Sequence, residues 1–484
     1  MSGSKSMNFD AKGVSFSPLS RSITQCAALI KGGIDPTCLA IADAPVGSDS
    51  AFSFLVIGDT DAGEGIVAEE SFSSQFPHAV MAHLGENRFL LHTGDVAYPV
   101  GNYENYFERF LRPYQQLLTQ LPASAFYRHD AITFNRPLLA VPGNHDYADA
   151  DRSWHATLWR QFLRKMCDRL RVSLDIDLGH YGGSGGEAYA ETFLDDLARL
   201  FPDQLARYLS VHYSAPTPSV ANAKTLSTCL DYRPGLFTRL PNRYYRFRYG
   251  GIDFFALDSN TWNMDPATAD FDQAQLDWLE KSLINSWNDP DTVGRIVYLH
   301  HSPYTTESFH WQQSETLWVR RHLRAVLERV AISLGRPSGT VPLLDLVLSG
   351  HAHCLEHLKT ARSARGDSQI DWVVCGGSGS GLRRQRRGSS ELLENVMHQG
   401  RSRTEVVAHS RFYAGRHKQS SRRRQREEQK FHSFIRIDVQ PHKSQKMTVC
   451  PFLVMNEDGS WQTKAIAPFS VGKVTPHSHK KIRA

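Results

Sequence analysis

No two cysteines stand in a CxxC arrangement; the seven occupy positions 26, 38, 167, 229, 354, 375 and 450. An odd number at scattered spacing indicates neither a disulfide framework nor a zinc ribbon, so a reducing compartment, the cytoplasm, is the expected setting. An apolar run of roughly 20 residues, the length that crosses a bilayer as a helix, is also missing, and no membrane association is expected. The first thirty residues alternate small, polar and charged types, with no apolar stretch ahead of a cleavage site, so no secretory leader is expected. Charge of one sign is scarce as well. The 55 Lys and Arg exceed the 50 Asp and Glu by a net +5, too little to name a nucleic acid or a membrane as partner. What is present is a 41% hydrophobic fraction with 25 Phe and 17 Tyr, typical of a globular chain with a sizeable core. The length of 484 residues suits two or three average domains or one large domain with insertions.

Residues 1–48 are polar and read as an N-terminal extension. Short β-type apolar runs then recur, each closed by a polar cluster: Ser53–Gly58, Phe89–Thr93, Pro137–Val141, Ile252–Leu257, Arg295–Leu299 and Leu344–Leu348. Helical periodicity separates some of them, as in Gln273–Leu283 and Thr316–Leu334, which predicts an α/β fold. Asp371–Cys375, Phe434–Val439 and Met447–Val454 read as later strands. One domain over 49–470 is expected, with a helical insertion at about 149–240, carrying helix-length amphipathic segments at Trp154–Leu170 and Glu187–Leu209, that could form a lid. A second, arginine-rich insertion at about 383–428 is expected to be mobile, and 471–484 to be a flexible tail.

The chemistry-bearing residues follow the strands. The clusters are Gly58-Asp59-Thr60-Asp61, Gly94-Asp95-Val96-Ala97-Tyr98, Gly143-Asn144-His145-Asp146, His300-His301-Ser302-Pro303 and Gly350-His351-Ala352-His353. Ligands of open α/β sheets bind beyond the carboxyl ends of strands, so these clusters are expected to converge on one rim. Carboxylate, amide and imidazole donors together suit Fe, Mn, Zn or Co. A glycine before the first candidate ligand in four clusters lets the backbone turn sharply. Singly, a Gly-Asp is an ordinary turn and a histidine an ordinary core imidazole. Jointly, turns have no reason to choose metal ligands so often. His300 and His301 point to opposite faces of a strand, so only one is expected at the metals.

The series Asp, Gly-Asp-x-x-Tyr, Gly-Asn-His-Asp, His-x-Pro and Gly-His-x-His resembles the calcineurin-like metallophosphoesterase superfamily over about residues 53–357, and within it the purple acid phosphatases. The resemblance implies a four-layer αββα sandwich of two mixed β-sheets flanked by helices. It implies two metal ions, Fe plus a divalent Fe, Zn or Mn, with Asp95 bridging both. Asp59, Tyr98 and His353 would complete one site; Asn144, His301 and His351, with His301 selected by the His-x-Pro pattern, would complete the other. His145 would face the substrate, stabilising the transition state or protonating the leaving group. Hydrolysis of a small-molecule phosphate ester, favoured as a monoester, by in-line attack of hydroxide held between the ions is the expected reaction; a diesterase, a nuclease or a non-catalytic scaffold are the alternatives.

Elementary chemistry agrees with these roles. Two cations about 4 Å apart clamp the attacking and leaving oxygens, and a metal lowers the pKa of its water from about 15.7 to about 7. An imidazole of pKa about 6.5 suits proton donation. A phenol of pKa about 10 gives up its proton at pH 7 at a cost of roughly 4 kcal/mol, which a trivalent ion supplies more readily than a divalent one; the alternative for Tyr98 is a packed aromatic beside Pro99. Asp61 stands where purple acid phosphatases carry Gly and many other members carry His, and it reads as a turn or outer carboxylate, which leaves the metals open. Gly376–Gly381 reads as a flexible loop near the rim, since it lacks dinucleotide-binding spacing. The arginine-rich insertion is a candidate for polyanion contact, or else solvated surface.

Overall fold

The structure is a computed structural model. It describes residues 33–42, 51–60, 70–125, 132–147, 186–195, 197, 200, 202–214, 228–336, 341–379, 381–388, 390–398, 401–418, 428–440 and 446–472. Its strands, in chain order, are β1 (Ile34–Ile41), β2 (Phe52–Ile57), β3 (Leu90–His92), β4 (Leu138–Ala140), β5 (Tyr213–Ser214), β6 (Thr228–Tyr232), β7 (Tyr245–Tyr249), β8 (Ile252–Ala256), β9 (Gly294–Leu299) and β10 (Leu346–Ser349). They continue with β11 (Leu355–Thr360), β12 (Asp371–Cys375), β13 (Glu391–His398), β14 (Arg401–Ala414), β15 (Arg416–Lys418), β16 (Glu428–Lys430), β17 (His432–Gln440), β18 (Lys446–Glu457), β19 (Ser460–Ala465) and β20 (Phe469–Val471). The longer helices are α1 (Glu70–Ala82), α2 (Glu187–Phe193), α3 (Pro202–His212), α4 (Gln273–Asn288) and α5 (Ser314–Ser333).

Two mixed sheets carry the fold. One runs β13-β14-β11-β12-β10-β9-β8-β7-β1-β6-β5, the other β19-β18-β17-β2-β3-β4, with β20 beside β18. Parallel strands covered on both faces must be apolar throughout, and β9, β10 and β12 are buried at every position. Alternate residues serve different layers. In β9, Ile296 and Tyr298 enter the core between the sheets, where Phe54 of β2 meets Phe254 of β8 at 5.5 Å. Val297 and Leu299 face the opposite way, onto α4 and α5. Asp272 caps α4 by accepting from Gln275 N, and Leu276, Leu279 and Leu283 form its buried stripe. Each such leucine contributes about 1.5–3 kcal/mol. On the far side, Phe72 and Phe76 of α1 pack on Trp461 and Phe434 of the smaller sheet. Helix, sheet, sheet, helix is the expected sandwich.

Four expectations change. Residues 34–41 are a strand of the larger sheet, parallel to β6 and β7, and so are not part of an extension. Cys38 and Cys229 form a disulfide, S–S 2.00 Å, between β1 and β6. Cysteine spacing could not reveal a pair 191 residues apart that only sheet register aligns, and the reducing-compartment expectation loses its basis. Glu187–Leu209 is two helices rather than one, with Asp195 recruited by Tyr208 and Tyr213 at the break. The arginine-rich region is built into the structure as the β13–β14 hairpin on the edge of the larger sheet. Arg383 N there donates to His353 O and Arg386 N to Thr306 O. Nothing in this arrangement supports the polyanion contact. Asp61, the Trp154–Leu170 segment, Arg422–Arg424, Arg426 and the tail lie outside the described residues.

Candidate metal centre

Strands β2, β3 and β4 run parallel, as do β8, β9, β10 and β12. Their carboxyl ends deliver the polar clusters to one rim between the sheets. Asp59, Asp95 and His351 all leave their strands with φ between 53° and 66°, a conformation that costs a non-glycine residue energy and that gathers at functional sites. The preceding glycines serve in two ways. Gly94 has φ 95°. At Gly143 and Gly350 the constraint is space: a Cβ would lie 2.1 Å from Asp95 Oδ1 and 2.4 Å from Asp59 Oδ2 respectively. Gly376, expected to be a flexible loop, is likewise packed, its Cβ position 2.3 Å from Ala352 O.

Asp59 and Asp95 are buried side by side, joined by the Tyr98 hydroxyl at 3.1 Å from Asp59 Oδ1 and 2.7 Å from Asp95 Oδ2. The same hydroxyl lies 3.3 Å from His353 Nε2. Asp59 is held by His351 N, at 2.9 and 3.0 Å, and Asp95 Oδ1 accepts from His145 N at 2.8 Å. Asn144 Oδ1 sits 3.0 Å from His300 Nε2 and 3.2 Å from His351 Nδ1. Six of the eight anticipated residues, Asp59, Asp95, Tyr98, Asn144, His351 and His353, thus share one cluster through side-chain contacts. His145 flanks it, its ring 4.3 Å from Tyr98 and its Nδ1 donating to Pro99 O at 2.7 Å.

His301 meets the cluster through its ring, 4.5 Å from that of His351. Its Nδ1 meets Ser259 Oγ at 2.8 Å and its Nε2 meets Asn263 Nδ2 at 3.1 Å. Both ring nitrogens are satisfied away from the carboxylates. His300 instead brings its Nε2 to 3.3 Å from Asp95 Oδ2, and the donor atoms of Asp59, Asp95 and His300 lie within 4.8 Å of one another. The reason is the pleat of β9: His300 continues the Ile296–Tyr298 side that faces the second sheet, His301 the Val297–Leu299 side that faces the helices. Two further residues escaped the sequence reading. Buried His310 packs 4.3 Å from the His351 ring and is hydrogen-bonded to buried Glu307. Asp146 accepts from Val96 N, Gly143 N and Tyr106 OH, tying the Asp95 and Asn144 loops together. For Asp146 the signal was present, in the motif itself.

The electrostatics follow from two carboxylates buried side by side next to an imidazole. Burial pushes the Asp59 carboxyl up to about 8, with Asp95 adding to the shift and His300 opposing it. Burial also works against ionised Asp95, yet His300 and His145 hold it well below the usual carboxylate range. His300 is raised to about 9, against burial, by Asp95 first. Burial and the surrounding imidazoles keep His351 well below its ordinary value, and its Nε2 is buried with no hydrogen-bond partner among the described residues. An orphaned imidazole nitrogen among two carboxylates fits a cation. His300 and His353 fit one too: Nδ1 of each lies 3.0 Å from a backbone carbonyl, of Thr93 and Gly381, which fixes the proton there and leaves Nε2 as a donor to metal.

A family model described as calcineurin-like phosphoesterase matches residues 52–355. Among solved structures the chain is similar to purple acid phosphatase PPD1 from yellow lupin (Lupinus luteus) seeds, at 13% identity and TM-score 0.43, over 88% of this chain and 56% of that one. The chain therefore spans little more than half the length of the lupin chain. It is also similar to GAP50, the anchor in the inner membrane complex of Plasmodium, at 12% identity and TM-score 0.39, over 88% and 90%. A Vps29 mutant from Entamoeba histolytica follows at 9% and 0.24, over 86% and 99%. No curated protein matches the chain. With the family's match covering more than half of the sequence and the donor cluster in place, this chain belongs to the calcineurin-like phosphoesterases, a family of metal-dependent phosphoester hydrolases.

Proposed function

We propose that the cluster holds two metal ions bridged by Asp95 and hydrolyses a phosphate monoester. One site takes Asp59, Tyr98 and His353; the other takes Asn144, His351 and His300, in place of His301. The observation that carries this reading is the pair of buried carboxylates, Asp59 and Asp95, ringed by imidazoles whose Nδ1 protons are already committed to carbonyls. When bound, the ions supply the Lewis acidity that lowers the pKa of water toward about 7 and offsets charge on the phosphoryl oxygens.

The chain's own residues do the rest. Asp95 offers one oxygen to each side because His145 N and the Tyr98 hydroxyl fix its two oxygens in place. His145 keeps its Nδ1 proton on Pro99 O, so Nε2 is the atom that delivers a proton to the leaving oxygen. Asp146 and Tyr106 hold the loop carrying Asn144 and His145 against the Asp95 loop.

Metal analysis and rates on p-nitrophenyl phosphate and its bis-ester test the reading. Asp95→Asn is expected to lose metal and at least about 100-fold in kcat/KM; unchanged activity overturns the bridging role. Iron with Tyr98 as phenolate would give a visible charge-transfer band that Tyr98→Phe removes, and a colourless iron-loaded protein refutes that assignment.

A further inference from the structure

At the other end of β2, where β2, β3 and β4 begin and β17 ends, a cavity of about 580 Å³ opens between their loops. Its volume is that of a small-molecule site. Three arginines line it, Arg88, Arg136 and Arg436. Arg436 is neutralised within the sheet, its NH2 group donating to Asp438 Oδ2 at 3.1 Å while Ser53 Oγ donates to Asp438 Oδ1 at 2.7 Å. The guanidinium groups of Arg88 and Arg136 have no partner among the described residues; exposed Glu86 is the other acid on the wall. Asn87 also lines the cavity, 1% exposed, its Nδ2 donating to His83 O.

A ligand that satisfies this wall carries an anion for two guanidinium forks. Arginine forks match phosphate oxygens in pairs. We propose that this cavity binds a small organic phosphate, separately from the metal centre. The two sites lie roughly 20 Å apart, the rise of the β2 residues between Phe52 and Asp59. β2 and β3 each have one end at the cavity and the other at a candidate ligand. Occupancy is thereby placed to adjust the spacing of Asp59 and Asp95.

Isothermal titration of the full chain with glycerol 3-phosphate, in chelator so that no turnover occurs, tests this. One saturable site is expected, present also in Asp95→Asn and absent with glycerol. The Arg88→Ala, Arg136→Ala double variant is expected to bind at least about tenfold more weakly, from two lost charge-assisted contacts. Arg136→Glu provides the same readout by charge reversal if the double variant's circular dichroism shows a damaged fold. Undiminished binding in the arginine variants, binding that disappears in Asp95→Asn, or no saturation at all each overturn the site.

Discussion

Stripping metal from the protein sets Asp59 against Asp95, and the pH dependence of that conflict is calculable in sign. Asp59 titrates near 8 in the folded chain and near 4 unfolded. A carboxyl raised in this way contributes stability below about pH 4 and loses it as the pH climbs to about 8. The whole excursion corresponds to at most about 6 kcal/mol, less whatever Asp95 and His300 relax between them. His300, raised to about 9, acts in the same direction: its contribution is present below about 6.5 and disappears by about 9. Asp95 is depressed, so its contribution is already constant above pH 4. Buried His92, His301, His351 and His432, held below their ordinary values by burial, slope the other way below about pH 6.5, so chelated protein is expected to melt progressively lower from pH 7 to pH 9 in differential scanning calorimetry. A divalent metal competes with the Asp59 proton and should raise the melting temperature, more at pH 8 than at pH 5. Asp59→Asn, resembling the protonated acid, should flatten the profile. A melting temperature of chelated protein that holds or rises between pH 7 and 8.5, with metal stabilisation equal at pH 5 and pH 8, refutes the account.

Replacing each of the paired histidines separates the two faces of β9. His300→Ala is expected to lower metal occupancy and cut kcat/KM by at least about 100-fold, whereas His301→Ala acts mainly through the Ser259 and Asn263 contacts and should retain metal, as elemental analysis would show; equal loss in both contradicts the assignment. The Cys38–Cys229 bridge closes a long loop, so the Cys38→Ala, Cys229→Ala variant is expected to be about 2–4 kcal/mol less stable in urea titration, with reductant lowering the unaltered protein toward the same midpoint. Identical midpoints with and without reductant would show the bridge to be absent in solution.

Most ligand positions were legible because each needs only local information. A fully buried strand has to be apolar, and the residue that ends it marks the rim whatever the rest of the fold does. Asp59, Asp95, Asn144, His351 and His353 could thus be placed together from strand ends alone. His300 could not, because a strand buried on both faces shows no amphipathic pattern to say which face meets the second sheet. The same limit hid the partnership of His310 with Glu307, which lies in a loop whose course no periodicity describes.

Chain order and apolar patterning were enough for the α/β class and many of the strands, and the motif residues at the strand ends carried the resemblance to the family. Register, face and long-range pairing were settled by packing: β1 entering the larger sheet, Cys38 meeting Cys229, the arginine hairpin pairing with β11, and His300 lying beside Asp95. The physical reason is that a strand's composition follows from being buried, while its neighbours follow from which of several equally apolar faces interlock, and that choice is made by residues hundreds of positions away.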